Sequence, residues 1–169
     1  LIGFPVGLNS QQFTIEFWLN PLSSTSYNQI IGADWWNFLF HLNKNGALFV
    51  GVDTFYSLNQ PYRISHKVLG NGYIEINKWR HWAFVFDNGV ERLYRDGELV
   101  AELNGSMLAQ RLDTLYLSNI DGYVDELRVW NVVRTGGDIR GNMYKPLSGV
   151  ETGLLAYYNF EGDLKDKSK

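Results

Sequence analysis

Retaining cleavage of a glycosidic bond takes two carboxyl groups about 5–5.5 Å apart. On a β-strand, residues i, i+2 and i+4 share a face, so carboxylates at that spacing are the pattern to look for. The chain does not supply it. Asp125 and Glu126 are adjacent, which on a regular strand sends them to opposite faces. Asp121 and Asp125 are four apart, with Tyr123 between them. Glu75 stands alone, and Glu16 lies between Thr14 and Trp18. The three histidines, His41, His66 and His81, fall on separate segments and read as structural or surface residues. No Gly-x-Ser-x-Gly, phosphate-loop or His-Glu-x-x-His string occurs. Without cysteine there is neither a disulfide scaffold nor a thiolate metal site. The residues therefore argue against an enzyme.

They argue better for binding. The least explained stretch is Asp34-Trp35-Trp36-Asn37, two adjacent tryptophans in an expected turn. If one enters the core, the other lies at the rim, flanked by polar residues. A tryptophan so placed can stack on a sugar ring while its neighbours bond the hydroxyls. Tyr27 and Tyr56, with Tyr62 and Tyr73, are further aromatics expected in loops or at strand ends. The expected ligand site is Asp34, Trp35, Trp36, Tyr27 and Tyr56. Trp79, Trp82 and Trp130 read as packing residues.

The elements that must position these groups have a period of two. In 13–20, Phe13, Ile15, Phe17 and Leu19 take one face, and Thr14, Glu16, Trp18 and Asn20 take the other. Similar runs occupy 28–33, 37–43, 47–53, 79–87, 90–96, 98–103, 114–119, 122–131 and 153–160. Asn45-Gly46, Asn88-Gly89 and Asp96-Gly97 punctuate them, as hairpin turns that need positive φ require. Residues 54–72 read as a long loop with one short strand. One stretch suits a helix, near 135–145, with Ile139, Met143 and Leu147 at spacing four and Pro146 as its stop. Many short strands at this spacing predict an all-β sandwich or barrel.

At 169 residues the chain suits one domain. A net charge of −3 and no basic stripe set nucleic acid aside. No apolar run approaches the roughly 18 residues of a membrane span. The domain is expected over 1–162, with 163–169 as a C-terminal tail or linker.

Three segments in order resemble the laminin-G-like domain of the concanavalin A-like superfamily. They are FTIEFWLNP (13–21), KWRHWAFVFDNGVERLYRDGELV (78–100), and GYVDELRVWNVVRTGGDI (122–139) with GLLAYYNFEG (153–162). The family's Phe-Asp-Gly-x-x-Asp-Tyr opening is replaced by GFPVGLN. The resemblance implies a jelly-roll sandwich of two antiparallel sheets and makes Asp125 a structural residue that bonds backbone near the short helix. Such folds host lectins, adhesion modules and polysaccharide-active enzymes, so fold alone selects no function. The Glu-x-Asp-x-Glu string of the family's glucanases is missing. Pentraxin-like members bind calcium at the rim. Of their ligand positions only Asn28, Asn119 and Asp121 carry over here, so the resemblance implies one calcium at most. Asn119 and Asp121 equally suit a plain turn before Gly122. The resulting expectation is a non-catalytic carbohydrate-binding or adhesion module of a larger secreted or cell-surface protein, bacterial or virion-associated. Its partner is a glycan, a cell-surface polysaccharide or a neighbouring protein domain. The alternatives are a protein-interaction or spacer domain without a sugar site, including a phage-tail or receptor-binding setting, and then a polysaccharide-active enzyme.

Overall fold

The structure is a computed structural model that describes residues 2–8, 10–23, 28–33, 38–42, 47–52, 67–69, 74–104, 112–118 and 120–169. Among these residues the strands are β1 (Ile2–Leu8), β2 (Gln12–Pro21), β3 (Asn28–Ala33), β4 (Phe38–Leu42), β5 (Leu48–Val52), β6 (Lys67–Leu69), β7 (Arg80–Asp87), β8 (Val90–Arg95), β9 (Glu98–Asn104), β10 (Leu112–Leu117), β11 (Gly122–Trp130) and β12 (Leu154–Tyr158). A single short helix, α1 (Gly136–Asn142), lies between β11 and β12. The strands form two antiparallel six-stranded sheets, ordered β1-β10-β3-β4-β5-β6 and β12-β11-β2-β7-β8-β9. This is the expected jelly-roll sandwich.

Alternation along the strands makes the core. Phe13, Ile15, Phe17 and Leu19 of β2 all point between the sheets and are fully buried. Aromatic rings bridge the two layers. Phe17 meets Phe40 edge-on at 5.0 Å, Phe38 lies 5.0 Å from Phe84, and Phe4 contacts Tyr158 at 4.6 Å. Offset and edge-on pairs of this kind add to what area burial alone contributes.

Two of the expected hairpins close as the sequence requires. Asn88-Gly89 joins β7 to β8 with φ of 47° and 94°, and Asp96-Gly97 joins β8 to β9 with φ of 53° and 80°. Both central residues are left-handed, the requirement of the type I′ turn. Gly97 has a second reason to be glycine. A Cβ there would lie 2.7 Å from the Cβ of Arg140 on α1.

The second face of β2 is not the solvent face that its polar residues suggest. Thr14 and Glu16 are buried there, Glu16 to 1% exposure. The strand is buried on both sides because residues 131–147 fold over this outer face. The stretch 163–169, expected as a tail or linker, is tied back to β12 and its flank. Lys167 N donates to Tyr157 O at 2.7 Å, Tyr157 N donates to an Asp166 carboxylate oxygen at 2.9 Å, and Ser168 Oγ donates to Leu155 O at 3.1 Å.

Candidate functional site

The ligand platform expected at Asp34, Trp35, Trp36, Tyr27 and Tyr56 lies outside the described residues, as does Asn119. Asn28 begins β3, but its side chain is also outside them. Asp121 is described. Its carboxylate accepts from the Ser23 hydroxyl at 2.5 Å, and its carbonyl accepts from Leu22 N at 2.8 Å. These bonds close a turn against the end of β2. Calcium takes six to eight oxygens. Among the described residues no group of three His, Asp or Glu side chains is placed to hold a metal ion.

The described residues do converge elsewhere, on the outer face of the second sheet. Register builds the site row by row. Trp130 lies opposite Thr14, which lies opposite Val85. In the next row Arg128, Glu16 and Ala83 align, and then Asp125, Trp18 and His81. Residues 131–147 cover the first two rows. Thr135 caps α1 in a reciprocal capping box with Asp138, and Ile139 packs on Ala83 and Val85. Thr14 Oγ1 donates to Val132 O at 2.9 Å and accepts from Arg134 N at 3.0 Å. The Arg134 guanidinium lies 4.1 Å from the centre of the Trp130 ring, cation over π face.

A charged network beneath the cover holds it in place. Arg128, 1% exposed, donates to two carbonyls at and just past the end of the helix, Asn142 O at 3.1 Å and Lys145 O at 2.8 Å. The same guanidinium bonds Glu126 at 2.5 Å and lies 3.8 Å from Glu16. Trp130 Nε1 donates to Glu16 at 2.9 Å. Burial nevertheless raises the Glu16 carboxyl, outweighing Arg128, Arg134 and that hydrogen bond. His81 is fully buried, and burial with the charges of Arg128 and Arg134 drives its pKa down to about 3. It is a neutral structural imidazole, in keeping with the sequence reading.

The cover ends at Met143–Pro146, where Trp18 Nε1 donates to Met143 O at 3.0 Å. Beyond that edge the outer face opens into a groove of about 360 Å³. Trp18, Trp79, Asp125 and Glu126 line it from the sheet, and residues 143–146 form the opposing wall. The aromatic residues around it are unusually open to solvent. Trp79 is 42% exposed, Tyr123 57% and Tyr144 75%. Trp79 and Tyr123 lie 6.3 Å apart with their rings tilted by 35°, and Tyr144 lies 5.2 Å from Trp18.

A β-bulge explains why two adjacent acids share this groove. β11 advances three residues, Asp125 to Arg128, while β2 advances two, Trp18 to Glu16. Glu126 takes a φ of 52°, and the Asp125 carboxylate accepts its N–H at 2.8 Å. The expectation of opposite faces therefore fails, because it assumed an unbroken strand. The expected backbone bond of Asp125 near the helix is instead made within its own strand. Glu126 is held from behind by Arg128 and by the Tyr157 hydroxyl, which donates at 2.8 and 3.0 Å. The Tyr157 hydroxyl is pushed up to about 12, chiefly by burial and then by this bond. Burial raises Asp125, against the lowering hydrogen bond from the Glu126 N–H; the charges of Glu126 and Glu161 add to the raise, and Arg128 opposes it.

Trp79 is thus not the packing residue expected, whereas Trp82 and Trp130 are buried. The overlooked signal was parity. Trp79 shares its face with His81, and Trp18 and Tyr123 occupy that same outer face.

A family model described as Laminin_G_3, of the concanavalin A-like lectin/glucanases superfamily, matches residues 3–140. No curated protein matches. Among solved structures, a candidate carbohydrate-binding protein from Bacteroides ovatus is similar at a TM-score of 0.71 and 23% identity. The match covers 94% of this chain but only 48% of that one, so the chain spans about half the length of this relative. A heptameric SAP-like pentraxin from Limulus polyphemus gives a TM-score of 0.59 at 16% identity, over 82% of this chain and 72% of its own. Domain 4 of an extracellular GH43 arabinanase from Geobacillus stearothermophilus, solved with arabinotriose, gives 0.60 at 21% identity, over 82% and 70%. At these identities the likeness is one of fold.

Proposed function

The chain belongs to the concanavalin A-like lectin/glucanase superfamily, and on that premise we propose that it is a non-catalytic glycan-binding module of a larger secreted or surface protein. The observation that carries the proposal is the groove lined by Trp18, Trp79 and Tyr144, with two carboxylates in the same lining and Tyr123 exposed beside Trp79. Solvent-facing aromatic rings are costly unless something covers them, and the apolar face of a pyranose or furanose ring is well matched to do so. Carboxylates beside such rings accept hydrogen bonds from sugar hydroxyls. The arabinotriose complex of the arabinanase domain and the description of the Bacteroides ovatus protein support the same class of ligand. No helix among the described residues is long and apolar enough to cross a membrane.

The test is retention on polysaccharide affinity gels, comparing wild type with Trp79→Ala and Tyr144→Ala. Both side chains are exposed, so both variants should keep a near-native melting temperature. Each should weaken retention on any bound glycan about tenfold, the loss of about 1.4 kcal/mol expected when one stacking face is removed. The groove recruits hydroxyls without a cation, so EDTA should leave retention unchanged. Equal retention of wild type and both variants would rule the groove out.

A further inference from the structure

We infer that the groove selects uncharged oligosaccharides, with Asp125 as its principal hydroxyl acceptor, and rejects glycans carrying carboxylate groups. The inference rests on the glycan-binding reading and specifies its ligand class. Three carboxylates meet at this place. Asp125 and Glu126 line the groove, and Glu161 is close enough to act electrostatically on Asp125. The nearest buried cation, Arg128, is already engaged by Glu126 and by two backbone carbonyls, and its side chain is 1% exposed. It neutralises the protein's own acid, and its burial keeps the guanidinium out of a ligand's reach. Among the described residues, Lys145 is the one basic side chain lining the groove.

The two acids differ in what they can still accept. The Glu126 oxygens are taken by Arg128 and the Tyr157 hydroxyl. Asp125 spends one oxygen on the Glu126 N–H, and among the described residues its other oxygen takes no hydrogen bond. Trp18 is the cross-strand partner of Asp125, so the indole and this carboxylate line the same groove. A sugar ring stacked on the aromatic wall would present hydroxyl donors to that oxygen. A uronate in the same position would bring a fourth negative charge into a partly desolvated pocket, where like charges at a few ångströms repel strongly.

The test uses the whole chain and matched ligands. Arabinan, xylan, galactan and β-glucan are compared with carboxymethylated forms of the same backbones, by affinity electrophoresis at low salt and at about 0.5 M NaCl. At least one neutral backbone should bind, and its carboxymethylated form should bind at least tenfold more weakly. The gap should narrow at high salt, since screening removes repulsion. Asp125→Asn keeps the acceptor for the Glu126 N–H, so its melting temperature should stay near wild type. The variant should lose neutral-glycan affinity severalfold and gain on the carboxymethylated form. If the carboxymethylated polymer binds as well as the neutral one, the charge inference is overturned while the glycan-binding reading stands. If neither form of any backbone binds, the reading fails and takes the inference with it.

Discussion

Arg128 is the residue on which the outer face depends. It satisfies two carbonyls and one carboxylate and lies 3.8 Å from a second, with its own side chain only 1% exposed. Removing one partner of a buried charge network leaves the others uncompensated, typically at about 3–5 kcal/mol. Arg128→Leu should therefore lower stability by that order in urea denaturation, whereas Tyr144→Ala should barely change it. His81 makes a separate prediction in pH. Its native pKa of about 3 lies far below the usual imidazole value, so the unfolded chain takes up the proton first. Stability should fall as pH drops below about 6.5, by up to roughly 1.4 kcal/mol per unit. Glu16 works in the opposite sense. Its raised carboxyl favours the native state at low pH, and that contribution is lost as pH rises through the native value. The two groups therefore pull against each other as pH falls, and removing the histidine isolates its share. Between pH 6.5 and 5, thermal melts of His81→Gln should therefore decline less than those of wild type.

At the scale of elements, α1 is short and depends on its ends. Its capping box and its contact with the β8–β9 hairpin fix it, the latter through Arg140, which donates to Gly97 O at 3.1 Å. Thr135→Ala should cost about 1 kcal/mol. Two glycines separate close contact from empty space. Gly97→Ala would place a methyl 2.7 Å from Arg140 at a positive φ, and should destabilise. At Gly141, inside the helix, an added methyl would meet nothing within 4 Å, so Gly141→Ala should stabilise by about 0.5–1 kcal/mol. Chemical denaturation of the two variants reads both signs. The elements themselves were largely legible in sequence, because alternation and Asn-Gly or Asp-Gly turns are local signals. β1 was harder to see. Gly3, Pro5 and Gly7 dilute its pattern, although Phe4, Val6 and Leu8 alternate inward and Pro5 is tolerated on a sheet edge. The bulge in β11 was invisible, since nothing in Asp125-Glu126-Leu127 announces the extra residue. With it went the groove, because sequence adjacency placed the two acids on opposite faces.

For the molecule as a whole, the two faces of the second sheet carry different duties. The inner face is an apolar core shared with the other sheet. The outer face changes along its length from covered and charged, beneath residues 131–147, to open and aromatic. Only the first of these duties follows from composition and periodicity. The second depends on where a covering segment stops, which is a tertiary fact. The segment 163–169 belongs to the same assembly through its bonds to β12, so deleting it should lower the melting temperature by several degrees while leaving the groove residues in place.

The two carbonyls held by Arg128 lie at Asn142 and Lys145, one before and one within the groove's covering wall. That wall is therefore fastened before any ligand arrives. Its consequence is kinetic: a groove whose far side needs no rearrangement should be entered in one step. Stopped-flow quenching of Trp79 and Trp18 should give a single exponential whose rate climbs linearly with ligand concentration. A plateau would reveal a wall that must first move.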